Sequence, residues 1–459
     1  MSSISSAMNT ALSALQAQQI LINVANSNIA NASTDGYSRV TAVASATNTS
    51  STSSSSYTGT GVEVTSVSRV SDSYTLKQLC SANADAGESS AELEYLEDIE
   101  AVFDESEGSG LSDALSEFFT AWEDLANDPA GSTERSVLVS DAQGLASTIN
   151  EMYEDLEDVQ TGIDDDISQT VDDINGITEQ IADLNQKILQ ATASGIDTST
   201  YEDERDSLLT ELSSKVKVAY YEDDSGQINV QLSNGKSLVS GSTSHDLGVT
   251  TNATTGLSDV TWLDSDGDEV VITGSISGGE LGGELDARDT VQDYMDDLDA
   301  LAASLIEQVN ALHETGIDAD GNAGVAFFTG TGASDIAVND SIVNDADLVA
   351  AASSTDSSAI AVAIAGLEDT KVAINGTSAT FEEYYTSLVS KIGTEVENTT
   401  SSSETQSDLV TYYENYRESV SGVSTDDELA NIVLYQNVYE AAAKVMSVLD
   451  ELLETMINI

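Results

Sequence analysis

Two histidines, one cysteine and 81 carboxylates are the side chains with which this 459-residue chain could do chemistry. His245 and His313 lie in different segments, which excludes a multi-histidine metal site. A Ser-His-Asp arrangement needs no fixed spacing, but no nucleophile elbow supports one. Gly274 to Gly278 reads GSISG, with Ile276 where the nucleophile would stand. Paired carboxylates, the requirement for general acid–base hydrolysis, occur along the whole chain, so no pair is distinctive. Neither a P-loop nor a G-x-G-x-x-G fingerprint is present. Two segments imitate calcium loops, DADGNAG from Asp318 and DSDGDE from Asp264. The EF-hand also needs Gly at its sixth position and Glu at its twelfth. Those places hold Ala323 and Thr329 in one segment and Glu269 and Ser275 in the other, so both read as polar turns. The lone Cys80 excludes an intrachain disulfide framework and reads as a small buried hydrophobe. No catalytic, cofactor-binding or metal-binding residue is assigned, and the expectation is a protein that is not an enzyme and carries no cofactor.

The balance of charge is the strongest compositional feature. Fourteen basic residues against 81 acidic ones give a formal charge of −67. Phosphates would meet the same sign, which argues against nucleic acid and against an anionic membrane surface as partners. The excess is spread along the chain instead of forming a block, and it reads as adaptation to a saline, halophilic setting. At ~1 M salt the Debye length is ~3 Å, and the self-repulsion is largely screened. The rival reading is a cation-binding or partner-binding acidic surface. No apolar run approaches the ~20 residues a membrane span needs. The start, MSSISSAMNT, lacks the parts of a cleaved secretory signal.

The two ends carry the clearest periodicity. Met8, Ala11, Leu15, Gln18, Ile22, Ala25 and Ile29 follow a 3-4 spacing near the start. Tyr435, Val438, Ala442, Val445, Leu449, Leu452, Met456 and Ile459 keep it at the end. Such seams predict helices that seek a partner helix, either each other or copies of themselves. Ordinary amphipathic helices of one globular core would show the same pattern. Between them the pattern predicts a β-ribbon over 38–43 and 61–70 with a Ser/Thr-rich tip over 47–60. Helices follow over 71–103, 111–126, 133–192 and 201–216, the third carrying a seam from Ile163 to Ile188. Strands are expected from Lys217 to about Glu284, with an Asn-Gly turn at Asn234-Gly235. A helix from about Leu285 to His313 and further helices over Val343–Gly422 complete the reading. The predicted class is mostly α with a β-rich outer domain (α+β): terminal helices paired as a coiled coil, a long helical bundle and a β-rich insertion.

NIANASTDGYSR, Asn28 to Arg39, resembles the N-terminal signature of bacterial flagellar rod, hook and hook-associated proteins. The residues that carry it are Asn28, Ile29, Ala30, Asn31, Gly36, Tyr37 and Arg39. GVSTDDELANIVLYQNVYEAAAKVMSVLDELLETMINI, at the C-terminus, is similar to the hook-associated proteins of the hook–filament junction. So are YEDERDSLLTELSSKV, QINVQLSNGKSLVSG, VNALHETGIDADGNAGVAFF and FEEYYTSLVSKIG. The matches run in the family's order over nearly the whole chain. One departure is that many members carry a large insertion after the double-Phe segment, here Phe327-Phe328, and this chain runs almost directly on.

The resemblance implies an inner coiled-coil domain of 1–33 and 426–459, a helical rod domain with ribbon of 34–213 and 341–425, and an outer β-rich domain of 214–340. It also implies a structural role at the hook–filament junction, by assembly of copies into a ring. Implied partners are further copies, the hook subunit, a second junction protein (hook-associated protein 3) and a cytoplasmic export chaperone. The implied location is the extracellular flagellum, reached by type III export without a cleaved signal. The residues expected to work in assembly are Met8, Leu15, Ile22 and Ile29 in the N-terminal seam and Tyr435 to Met456 in the C-terminal one. Three other readings share part of the pattern. A hook or distal rod subunit shares Gly36-Tyr37. A secreted coiled-coil adhesin or surface-layer protein accounts for the rods and acidity but not for NIANASTDGYSR. A hydrolytic enzyme on such a scaffold would need a site within 217–284, where His245 is the one histidine.

Overall fold

The computed structural model describes residues 2–47, 50–51, 57–58, 60–104, 110–264 and 267–457. Helix α1 (Ser2–Ala30) leads into a ribbon of β1 (Val40–Ala46) and β4 (Val62–Arg69), paired antiparallel with a bulge at Val43/Ala44. The short pair β2 (Ser50–Ser51) and β3 (Tyr57–Thr58) extends it, and the rest of the Ser/Thr tip lies outside the described residues. The trunk follows as α2 (Ser73–Val102), α3 (Leu111–Asn127), α4 (Ser132–Ser194) and α5 (Ser199–Lys215). Helix α4 has 63 residues, about 95 Å at ~1.5 Å per residue. Its seam from Ile163 to Ile188 is buried throughout, because α5, α6 and several strands pack along it.

Strands β5 (Val218–Glu222), β6 (Ile228–Leu232), β7 (Ser237–Ser240) and β8 (Thr243–Ser244) form one antiparallel sheet in sequence order. The β6–β7 connection is the Asn234-Gly235 turn. Strands β9 (Leu247–Thr251), β10 (Ser258–Leu263) and β11 (Glu269–Val271) form a second sheet, with β10 central. Part of the Asp264–Glu269 turn lies outside the described residues.

Helix α6 (Gly279–His313) begins six residues before the expected Leu285. Its early start follows from close packing. Gly279 has φ +74°, and a Cβ there would sit 2.5 Å from the Val216 backbone. A Cβ at Gly283 would come 2.3 Å from the Glu88 carbonyl of α2. Glycine-rich GGELGGE, which reads as loop, is therefore a helix turn pressed on its neighbours. Helix α6 lies against α2 and α4. The 214–340 segment expected as an outer β domain thus contributes its longest element to the helical trunk, and only its strands are β-rich.

The hairpin β12 (Phe328–Thr329) and β13 (Ala337–Val338) closes directly behind the double-Phe segment. The stretch 343–422, expected to be helical throughout, is not. It holds the end of α7 (Asp340–Asn344), then α8 (Ala359–Ala365), a hairpin of β14 (Val372–Ile374) and β15 (Thr377–Ala379), and α9 (Phe381–Ser421). Asn375-Gly376, with φ 45° and 76°, makes the tight hairpin turn that a helical reading passes over. A capping box between Thr380 and Glu383 starts α9, which runs along α2. Helix α10 (Thr425–Ile457) then returns to pair with α1.

The trunk core is aromatic. The Phe118 ring lies 5.6 Å from Phe328 and 6.1 Å from Phe327, and Phe103 lies 5.4 Å from Tyr294. His313 is buried in this core as a neutral staple. Its Nδ1 lies 2.5 Å from the Val325 carbonyl, and its Nε2 accepts from the Ala350 N–H at 2.8 Å. Burial pushes its pKa down to about 4, against the Val325 bond and with help from Arg135.

Glu284 of α6 is 2% exposed. One oxygen accepts from Thr170 Oγ1 of α4 at 2.8 Å, and the other has no partner among the described residues. Burial raises its pKa from 4.5 to about 7; the Thr170 bond and Lys215 oppose this, and Glu280 and Asp166 add to it. The folded state therefore holds this proton more tightly than the unfolded chain, so stability falls as pH rises from about 4.5 through 7. Glu284→Gln is expected to stabilise the trunk at pH 8 by an amount of order 3 kcal/mol and to change little at pH 4. Urea melts at both pH values check this; equal gains at both would refute it.

Candidate assembly joint between the terminal helices and the trunk

Helix α1 contains no Asp, Glu, Lys or Arg, although 81 of 459 residues are acidic. It lies on α10 along one side and on the ribbon along another. Ala11 and Ala25 are its buried positions towards the seam, while Met8, Leu15, Ile22 and Ile29 are half-buried beside them. Small residues at the deepest positions let the helices approach closely, and the larger ones flank the contact.

On α10 the expected single seam divides. Tyr435, Ala442 and Leu449 are half-buried, together with Ile432, Met446 and Leu453. Val438, Val445, Leu452 and Met456 are 40%, 52%, 48% and 51% exposed. A single partner helix covers only one edge of a 3-4 stripe, and the other edge stays open. Leu434 and Val448 extend the open edge. Ile459, expected in the seam, lies outside the described residues.

The signature residues meet where these helices join the trunk. Asn28 is 1% exposed and spends its amide fully. Its Nδ2 donates to the Val40 carbonyl at 2.9 Å and to Glu428 Oε1 at 2.9 Å. Its Oδ1 accepts from the Tyr37 hydroxyl and the Val40 N–H, each at 2.9 Å. One side chain thereby ties α1, the ribbon and the first turn of α10. Because Asn28, late in α1, meets Glu428, early in α10, the two helices run antiparallel. Asn31 closes the end of α1 through its bond to the Ser27 carbonyl at 3.0 Å. Gly36, at φ 75°, forms the turn, and its carbonyl accepts from Arg417 Nη2 at 3.0 Å. The Arg39 N–H donates to the Ser421 carbonyl at 2.7 Å, and its own carbonyl accepts from Val70.

A second network braces the ribbon against α5. Arg69 donates to Glu202 at 2.8 Å, Asp203 at 3.0 Å and Asp206 at 2.5 Å. The second Asp203 oxygen accepts from the Ser38 N–H at 3.0 Å. Burial pushes the Asp206 carboxyl up, and the adjacent Arg69 guanidinium pulls it back. Arg69 is held above its ordinary range, its three carboxylates outweighing burial. Sequence reasoning missed Glu428, Arg69, Asp203, Asp206 and Arg417. For the two arginines a signal exists, since cations are scarce here and each must be placed; a single acid in so acidic a chain gives none.

The groups that could have carried chemistry are engaged otherwise. Cys80 is buried, and burial pushes its thiol up to about 11. The Asp318 carboxylate accepts from the Asp320 and Asn322 N–H groups of its own turn at 3.0 and 2.7 Å. The His245 ring lies 5.8 Å from Trp262. Among the described residues no helix is long and apolar enough to cross a membrane.

Residues 96–328 match the family described as "Flagellar hook-associated protein FlgK helical domain". The chain is 30% identical to "Flagellar hook-associated protein 1" of Bacillus subtilis (strain 168), over 98% of this chain and 97% of that one. The chain belongs to the flagellar hook-associated protein FlgK family. Its ends also match two wider flagellar families: residues 8–37 "Flagella basal body rod protein", and residues 417–459 "Flagellar basal body rod FlgEFG protein C-terminal". The FlgK-family protein of Escherichia coli (strain K12), "Flagellar hook-associated protein 1", is 28% identical over 99% of this chain and 100% of that one. That alignment spans 550 positions against 459 residues here, so the relative carries stretches this chain lacks. "The structure of the flagellar hook junction protein FlgK from Burkholderia pseudomallei" shares the fold, with TM-score 0.68 at 16% identity, over 75% of this chain and 100% of that one. As a member of this family the chain is part of the flagellum.

Proposed function

We propose that this chain is a structural, non-enzymatic subunit of the hook–filament junction, where copies form a ring between hook and filament. The observation that carries the reading is the match to "Flagellar hook-associated protein 1" over 98% of the chain. The antiparallel α1–α10 pair is the inner domain, 1–33 with 426–459. The trunk built on 34–213 and 341–425, with α6 added by its packing, surrounds it, and the strands of 214–340 point outward. The seams Met8, Leu15, Ile22, Ile29 and Tyr435, Ala442, Leu449 hold the pair together. Val438, Val445, Leu452 and Met456 face neighbouring copies. Asn28, Asn31, Gly36, Tyr37 and Arg39 fix the angle between pair and trunk. One end of the ring fits the hook subunit and the other the second junction protein, hook-associated protein 3. The subunit leaves the cell unfolded through the flagellar type III apparatus, with a cytoplasmic chaperone covering α10 beforehand. Its charge of −67 suits a halophilic source. The stretches present in longer relatives belong at the loop that β12 and β13 close.

Deleting Leu429–Ile459 in the source strain tests this. Cells are expected to keep hooks and to shed filament protein into the medium. Normal filaments would sink the reading.

A further inference from the structure

From Val396 to Val420 no residue of α9 is buried. One side of this stretch lies on α2, and the other meets solvent. On the open side Ser401, Thr405, Leu409, Tyr412, Tyr416 and Ser419 follow a 3-4 spacing, and every one is exposed. None is charged, in a chain with 81 acidic residues. Glu404, Asp408, Glu414 and Glu418 lie off that line. Solvation alone gives so acidic a molecule no cause to clear one face of charge. A covering surface does, because interface centres are depleted in charge and enriched in tyrosine. Tyr412 and Tyr416 are 59% and 45% exposed. Their rings stack at 6.4 Å, and Tyr413 meets Tyr412 edge-on at 5.2 Å. The rings are thus held in place before a partner arrives, which lowers the ordering cost of contact.

A matching surface exists on the chain itself. The outer face of α1 presents Asn9, Leu12, Gln16, Gln19, Asn23 and Asn26, all exposed, at the same 3-4 spacing. Each stripe is about 25 Å long at ~1.5 Å per residue. Carboxamides on α1 both donate to and accept from hydroxyls such as those on α9. Helix α1 also has no charge for the acids beside the α9 stripe to repel. In its own copy α1 packs on α10 and the ribbon, so its outer face is open to a second one. We propose that the α9 stripe of one copy docks on the outer face of α1 of a neighbouring copy. The proposal rests on the ring reading above, which supplies the neighbours, and adds a trunk surface to the α10 edge. Helix α9 passes into α10 through residues 422–424, so the two surfaces follow one another along the chain. Because two different faces meet, the contact is head-to-tail, the kind that can close a ring.

The photo-crosslinker benzoylphenylalanine in place of Tyr412 tests this in flagella assembled by the source strain. Irradiation is expected to give a dimer of this chain whose cross-linked peptide falls within Ser2–Ala30. A cross-link to another protein, to α9 of the second copy, or none at all overturns the proposal. Tyr412→Glu adds the charge that the stripe excludes, and Thr405→Glu does the same if the first variant does not fold. Filaments per cell should fall by about tenfold or more, with the melting midpoint of the purified chain unchanged. Thr411→Glu, exposed on α9 but off the stripe, should change neither. Equal losses on and off the stripe, or no loss on it, also overturn the proposal. The Leu429–Ile459 deletion separates the two levels. If it leaves normal filaments, the ring reading has failed. If it abolishes attachment while the Tyr412 probe does not find α1, the docking surface alone is wrong.

Discussion

Val445→Asp combined with Leu452→Asp is expected to leave a folded subunit that no longer builds a junction. Both side chains are about half exposed on the open edge of α10, so the isolated chain loses little by the change. In the proposed ring each would be covered by a neighbour. A buried Val or Leu contributes ~1.5–3 kcal/mol, and a buried unpaired carboxylate costs more. Across many identical contacts such losses abolish assembly. The same change at Leu449, which is half-buried against α1, should instead lower the melting point of the isolated chain. Circular dichroism of purified protein, with filament attachment in cells, separates the two edges. If the double variant attaches filaments normally, the open edge is not an interface.

Arg69→Ala is expected to be the most damaging single change in the trunk. It leaves Glu202, Asp203 and Asp206 facing one another without their cation, at sites where the side chains are 10–25% exposed. Removing one partner of such a cluster costs about 3–5 kcal/mol. Burial already pushes the Asp206 carboxyl up and Arg69 opposes it; without Arg69 that carboxyl takes up a proton more readily than in the unfolded chain, so the variant should regain stability as pH falls. It should also regain part of it in ~1 M salt, which screens the repulsion. Urea melts of wild type and variant at pH 7.5 and pH 5 measure both effects. A loss under 1 kcal/mol with no pH dependence would show that the network does not hold the ribbon to α5.

The long elements were legible because their seams are long. Ile163 to Ile188 repeat over seven helical turns, and no strand or loop satisfies that period. The ribbon, the Asn234-Gly235 hairpin and both terminal helices follow from equally local signals. What escaped was set by close contact. GGELGGE reads as loop until α2 and Val216 are brought against it. Asn375-Gly376 is short, and the helical stretches beside it overrode it. The division of the α10 stripe depends on how much of it α1 can cover, a property of two helices together. The signature residues were found by their resemblance to a family, yet their work is tertiary. Nothing in the sequence says that Asn28 meets Glu428, 400 residues away.

Helix α1, uncharged in a molecule of charge −67, would also bias which collisions between copies succeed in the proposed assembly. At physiological salt, repulsion between like-charged surfaces reaches ~8 Å, so trunks that approach one another are turned away before they touch. The uncharged helix lies beside the open edge of α10, so that flank is where two copies would meet the least repulsion. In the proposed assembly, electrostatics would then act as an orientation filter that requires no contact of its own and discourages clumping through other faces. The salt that steadies each trunk weakens that filter, so the concentration best for folding a subunit is higher than the one best for sorting it.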